Sequence, residues 1–327
     1  MPFHTKLVTL ALCAAAVAGC KAKADGSGDA SVSTAAVATP QPAGAQQAGD
    51  EAPPAEKTGG FDGKRAFAQV VKQVGFGPRP SGSAAIGQLQ GYIQSELTSY
   101  GCKVETDSFS ADTPVGRLPM KNIVAKIPGD NPGIIMLATH YDTKRLENFV
   151  GADDGASSTA VMLELARLLC AKHGTYQVWI TFFDGEEAVK DWSDTDSRYG
   201  SRQMAAKMGM SGELSKVKAF LLADIVGTRA LRFKREENST QALMDLVWKT
   251  AGNLGYEAIF VSQPTGGIED DHLSFKKRGV PVVDVIDLEI QNSYWHTAQD
   301  TLDKVSAKSL ATTGHVFLES LKQLQSK

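Results

Sequence analysis

Several short clusters in this sequence carry the residue types that metal-assisted chemistry needs. They are His140-Tyr141-Asp142, Asp153-Asp154, Glu186-Glu187, Asp224, Glu269-Asp270-Asp271-His272 and His296. So many carboxylates at one place repel one another unless a cation or shared protons compensate. Carboxylate oxygen together with imidazole nitrogen suits zinc, and an incomplete protein shell with an open position suits catalytic zinc. Each cluster also has a plain reading. Asp153-Asp154 could cap a helix and complement its dipole, Glu186-Glu187 could be a solvated turn, and His296 could pack beside Trp295. Their joint occurrence, each after its own apolar run, favours the metal site. His173 and His315 fall on helical stretches and are read as structural.

The elements that must position these residues alternate along the chain. Apolar strand-like runs at 134–139, 177–183, 219–223 and 280–286 alternate with helical stretches at 157–172, 240–254 and 307–325. That alternation predicts an α/β domain built on a largely parallel sheet with flanking helices. Val161, Leu165, Leu168 and Leu169 have the spacing of one buried helix face. Gly255 is placed to end one helix and Pro281 to open a strand. Ligands of open α/β sheets bind beyond the carboxyl ends of the strands, which is where every cluster above falls.

Composition bounds the rest. The 327 residues carry 34 basic and 37 acidic side chains, a formal net charge of −3, with 42% apolar residues. This balance excludes a dedicated nucleic-acid binder or a polybasic membrane module. Four cysteines do not make a disulfide scaffold, and Cys102 and Cys170 are expected as free or buried thiols. Residues 1–19 read as a secretory signal, whose thirteen-residue apolar run falls short of the roughly 20 residues that span a bilayer. Val17-Ala18-Gly19-Cys20 resembles a bacterial lipobox. The expectation is export to the bacterial cell envelope, with membrane anchoring through lipidated Cys20, in the outer membrane by analogy. Residues 20–60, rich in Ala, Pro and Gly, are expected to be a disordered tether, and residues 61–327 a single catalytic domain.

The clusters resemble the signature of zinc aminopeptidases with two co-catalytic metals. One branch of that superfamily, the animal-type glutaminyl cyclases, is matched more closely. Three segments carry this: Phe182 to Ala188 with Trp192-Ser193 and Tyr199-Gly200-Ser201-Arg202; Ile268 to His272 with Arg278-Gly279-Val280-Pro281-Val282; and Trp295-His296-Thr297. The resemblance implies a twisted, mixed, mainly parallel six-stranded sheet with helices on both faces. It implies one zinc held by Asp154, Glu187 and His296, a proton shuttle at Glu186, an acid network of Asp224 and Asp270, and pocket walls at Trp192 and Trp295. The implied substrates are peptides or proteins with an N-terminal glutamine, converted to pyroglutamate with release of ammonia. The chain departs from that branch where Thr139 and Thr159 stand in place of a disulfide, where Asp284 replaces a histidine, and near Gln291, where an aromatic residue is expected. Two alternatives stay open. A dinuclear aminopeptidase would use two metals, with His140 and Asp224 joining Asp154 on the second. A non-catalytic lipoprotein would keep the fold as a binding module.

Overall fold

The computed structural model describes residues 51–326. The signal segment, the lipobox and Cys20 lie outside the described residues. In chain order the elements are α1 (Gly63–Val74), α2 (Ala84–Ser99), β1 (Lys103–Thr113), β2 (Gly116–Ile127), β3 (Gly129–His140), α3 (Ala156–Leu169), β4 (Gly174–Phe183) and α4 (Tyr199–Ser211). They continue with β5 (Val217–Asp224), β6 (Phe233–Glu236), α5 (Gln241–Asn253), β7 (Phe260–Thr265), α6 (His272–Lys276), β8 (Val282–Ile286) and α7 (Ala307–Gln325).

Six strands form one sheet in the order β1-β2-β4-β3-β5-β8, while β6 and β7 pair separately. β4, β3, β5 and β8 run parallel, and β1 and β2 add an antiparallel edge. The four apolar runs of the sequence are these four parallel strands. Alternate side chains along β3 enter two different cores, which is why it reads as a continuous apolar run. Ile135 and Leu137 pack on the side of α1, α3 and α7, where Val161, Leu165 and Leu169 join them. Ile134, Met136 and Ala138 pack on the other side, against Met204 and Met208 of α4 and Phe275 of α6. Helix starts are locally encoded: Asp62 accepts hydrogen bonds from the Lys64 and Arg65 amides, and Ser83 from that of Ile86.

Two expectations are corrected. Residues ahead of Phe61 are already part of the domain, with a 3₁₀ turn at Ala55–Lys57 and buried Ala52 and Thr58. A Cβ on Gly63 would lie 2.9 Å from those of both Ala52 and Ala311, so this short lead packs where α1 meets α7. The second correction concerns the thiols. Cys102 and Cys170 form a disulfide with their Cα atoms 4.8 Å apart, across a sequence separation of 68. It ties the entry to β1 to the C-terminal cap of α3, two ends brought together by the packing of α2 on α3. In the chain-entropy picture, opening so long a loop costs about 4 kcal/mol. A Cys102→Ser/Cys170→Ser double variant should therefore melt roughly 8 °C lower in a thermal unfolding scan, and an unchanged midpoint would show that the bridge carries no stability.

Candidate active site

The parallel strands deliver their last residues to one edge. β3 ends at His140, in register with Phe183 at the end of β4, and β5 ends at Asp224, in register with Ile286 of β8. The loop from Gly151 into α3 brings Asp154, and the turn after β8 brings His296, whose backbone is left-handed at φ +52°. The entry to α3 requires a glycine: Gly155 has φ +93°, and a Cβ there would lie 2.8 Å from the Asp142 carbonyl oxygen and 3.2 Å from the His140 ring.

Asp154 is the hub. One carboxylate oxygen lies 3.2 Å from Nε2 of His296, which is itself 2.9 Å from the Glu187 carboxylate. The other lies 3.3 Å from Nε2 of His140, which is 3.0 Å from Asp224. Two donor sets therefore share Asp154: Asp154, Glu187 and His296, and His140, Asp154 and Asp224. Zinc at 2.0–2.1 Å from each of its ligands separates them by roughly 3.3 Å. The Asp154–His296 and His296–Glu187 contacts fit that edge length. The chemistry of the set fits too: two buried carboxylates crowd one imidazole nitrogen, and a cation among them offsets their mutual repulsion.

The backbone around these donor groups is held by further carboxylates. Asp142 accepts from the amides of Glu186 (3.1 Å) and Glu187 (3.3 Å). Asp300 accepts from those of Asp153 (2.8 Å) and Asp154 (3.0 Å). Asp153 turns away from the site, towards the Tyr294 hydroxyl and the Gly227 amide, each 2.8 Å away. Only one member of the Asp153-Asp154 pair thus faces the donors. Arg79 is fully buried and donates to the carbonyls of Val150 (2.7 Å) and Gly151 (3.1 Å), at the start of the same loop.

Electrostatics separates the acids into roles. Burial, then the repulsion of Asp270, pushes the Glu186 carboxyl well above its ordinary range. Asp270 is pushed up likewise, by burial and then by Asp224. Burial also penalises the Asp154 carboxylate, but His140 and His296 outweigh it and hold the group below its usual value. His296 is pushed up to about 9: burial lowers it, and Asp154 and Glu187 more than reverse that.

These groups form the floor of a cavity of about 380 Å³ whose walls are Trp192, Ile225, Ile268, Leu288, Gln291 and Trp295. The Trp295 ring stacks on that of His296 at 3.8 Å between centroids. Asp154, Glu186, Glu187, Trp192, Asp224, Asp270, Trp295 and His296 all line this cavity, and His140 lies behind Asp154 and Asp224. Behind Asp270 lie Asp284 and His272, both fully buried, with the His272 Nδ1 3.5 Å from the Asp284 carboxylate. Thr139 donates to Ser158 (2.7 Å), and Thr159 to the His140 carbonyl (2.9 Å). Hydrogen bonds thus join β3 to α3 where a disulfide is expected in the animal branch. Sequence reasoning missed Lys144, 3.4 Å from the Glu187 carboxylate, and Phe149, whose ring lies edge-on to His296 at 5.9 Å. Neither sits in a recognisable cluster.

Residues 122–321 match the model of peptidase family M28. The chain is 30% identical over 268 residues to the glutaminyl-peptide cyclotransferase of Drosophila melanogaster, covering 74% of this chain and 75% of that protein. The chain belongs to family M28, on its glutaminyl-cyclase branch. The glutaminyl-peptide cyclotransferase-like protein of Bos taurus is 32% identical over 254 residues, covering 68% of this chain, and the match spans 66% of that relative's length. Among solved structures, a glutaminyl cyclase of an Acidobacteriales bacterium is 42% identical with a TM-score of 0.77, covering 81% of this chain and 95% of that one. The Porphyromonas gingivalis glutaminyl cyclase follows at 30% identity and 0.76, covering 81% and 99%. The mixed sheet with helices on both faces is the architecture of this branch. The M28 membership and the two donor sets agree on zinc as the metal.

Proposed function

We propose that this protein is a glutaminyl-peptide cyclotransferase, closing the N-terminal glutamine of peptides or proteins to pyroglutamate and releasing ammonia. The observation that carries this is the shape of the site: a three-residue zinc donor set and a buried, proton-binding Glu186 at the floor of a cavity walled by Trp192 and Trp295. Asp154, Glu187 and His296 would hold one zinc, which when bound supplies Lewis acidity to the glutamine amide oxygen. Glu186 takes the proton that the α-amine loses as its nitrogen bonds to the amide carbon. It returns that proton to the departing ammonia as the carbon–nitrogen bond of the amide breaks. A carboxyl held high by burial suits both halves of that exchange. Asp270 and Asp224 continue the acid chain behind Glu186, and the two indoles keep water from the intramolecular attack.

We also propose that the protein is exported and anchored through acylated Cys20 in the bacterial cell envelope. The lipobox-like residues 17–20 support this, as does the Cys102–Cys170 bridge, since such bonds persist in oxidising compartments. Among the described residues no helix is long and apolar enough to cross a membrane.

The deciding experiment incubates the purified protein with one peptide beginning in glutamine and one beginning in leucine, followed by mass spectrometry. Loss of one ammonia from the first, with the second intact, is the expected result. Release of free leucine would instead identify an aminopeptidase and make two bound metals the next thing to count.

A further inference from the structure

We propose that Arg198 and Glu269 are positioning residues that clasp Trp192 and so fix the outer wall of the substrate cavity, an inference that rests on the cyclase reading above. Trp192 is 38% exposed, and an indole so open to solvent ordinarily samples several rotamers. Here it is held on two sides. Its ring N–H donates to the Glu269 carboxylate at 2.8 Å, and the Arg198 guanidinium lies over its ring, 5.5 Å from the centroid. A guanidinium at that distance is attracted by the negative face of the ring. The same guanidinium is 3.8 Å from that Glu269 oxygen and 2.9 Å from Asp194. The three groups therefore close on one another.

The clasp is anchored in the catalytic floor. The Arg198 side chain is 2% exposed, whereas its partners Asp194 and Glu269 are 73% and 53% exposed, so the cation is buried and its counter-charges face water. The Arg198 backbone is left-handed at φ +51°, a conformation that a residue with a Cβ adopts only when its surroundings impose it. Its amide donates to the carbonyl of Glu186 at 2.7 Å. The intervening loop is stiffened by Asp196, which accepts from the amides of Val189, Lys190 and Asp191 at 2.9, 2.9 and 3.0 Å. One residue thus connects the backbone of the proton shuttle to the ring that closes the cavity, and Glu269 joins that ring to the segment carrying Asp270. A wall ordered before the substrate arrives spares the binding step the entropy of ordering it. The clasp should act on substrate affinity and leave the chemical step alone.

The test uses the zinc-loaded enzyme and a glutamine peptide. Glu269→Ala removes the acceptor of the indole N–H, whereas Glu269→Gln keeps a carbonyl oxygen there. The alanine variant should raise KM roughly fivefold with kcat within about twofold and zinc content unchanged, and the glutamine variant should restore KM. Acrylamide quenching of Trp192 fluorescence, isolated by subtracting a Trp192→Phe sample, should rise in Glu269→Ala and not in Glu269→Gln. Because Arg198 is buried and its removal endangers folding, the Glu269 pair carries the test. Unchanged KM and unchanged quenching in Glu269→Ala would overturn the clasp, as would a fall in kcat accompanied by loss of zinc. If the wild-type protein cyclises no peptide, the functional reading fails, and the quenching comparison still decides whether Trp192 is clasped.

Discussion

Replacing Glu186 with Gln should lower kcat for glutamine cyclisation by about a thousandfold, the middle of the range for loss of a general acid–base group, while zinc content stays at the wild-type level. The substitution is nearly isosteric and leaves the three metal donors in place. The backbone amide of residue 186 still finds the Asp142 carboxylate, 3.1 Å away in the native chain. What is lost is the ability to hold a proton. Burial and Asp270 keep the native carboxyl well above its ordinary range, so it can both receive the proton of the α-amine and release it to ammonia, and an amide does neither. Steady-state kinetics together with metal analysis on the same preparation check this. Retained turnover would remove Glu186 from the role and make Asp270, the next buried carboxyl in the chain of acids, the group to replace.

How much of this was readable in advance follows from how each feature is encoded. The parallel strands were legible because burial on both faces turns each into an unbroken apolar run ending in a polar cluster, and those clusters are the site. β1 was not, because in Lys103-Val104-Glu105-Thr106-Asp107 one face stays open to solvent and no continuous run forms. β2 was missed beside it, since Gly116-Arg117-Leu118-Pro119 opens polar and only its second half is buried. The disulfide was illegible for a different reason. Spacing along the chain says nothing about which ends meet, and Cys102 meets Cys170 only because α2 lies on α3. The candidate metal donors and Glu186 were legible as residue types in clusters, and the resemblance supplied the roles proposed for them. Arg79, Arg198 and Asp300 were not legible at all. Arg79 and Asp300 act largely by hydrogen-bonding the backbone of a loop, and Arg198 by contacts with the side chains of Trp192 and Glu269; neither kind of partner leaves a mark in the sequence.

Asp300 shows what such a residue contributes, and Asp300→Asn should weaken zinc binding by about 10- to 100-fold, the usual effect of losing a partner that orients a metal ligand. Both carboxylate oxygens accept from the loop that ends in Asp154, at 2.8 and 3.0 Å. The Asp300 carbonyl accepts from Ala152 at 3.2 Å in the same loop, and its amide donates to Thr297, the neighbour of His296, at 3.1 Å. One residue therefore sets the distance between two of the three donors. Asparagine offers a single acceptor oxygen and turns an amino group towards an amide N–H, so one of the two loop contacts becomes repulsive. Burial, then the repulsion of Asp153, pushes the Asp300 carboxyl itself well above its ordinary range, so the loss in Asp300→Asn is one of loop contacts. Competition with a chelator of known affinity measures the effect directly, and a melting curve on the same sample separates it from loss of fold. Wild-type zinc affinity in Asp300→Asn would mean that Arg79 alone fixes the loop. In that case Arg79→Met should release the metal where Asp300→Asn did not.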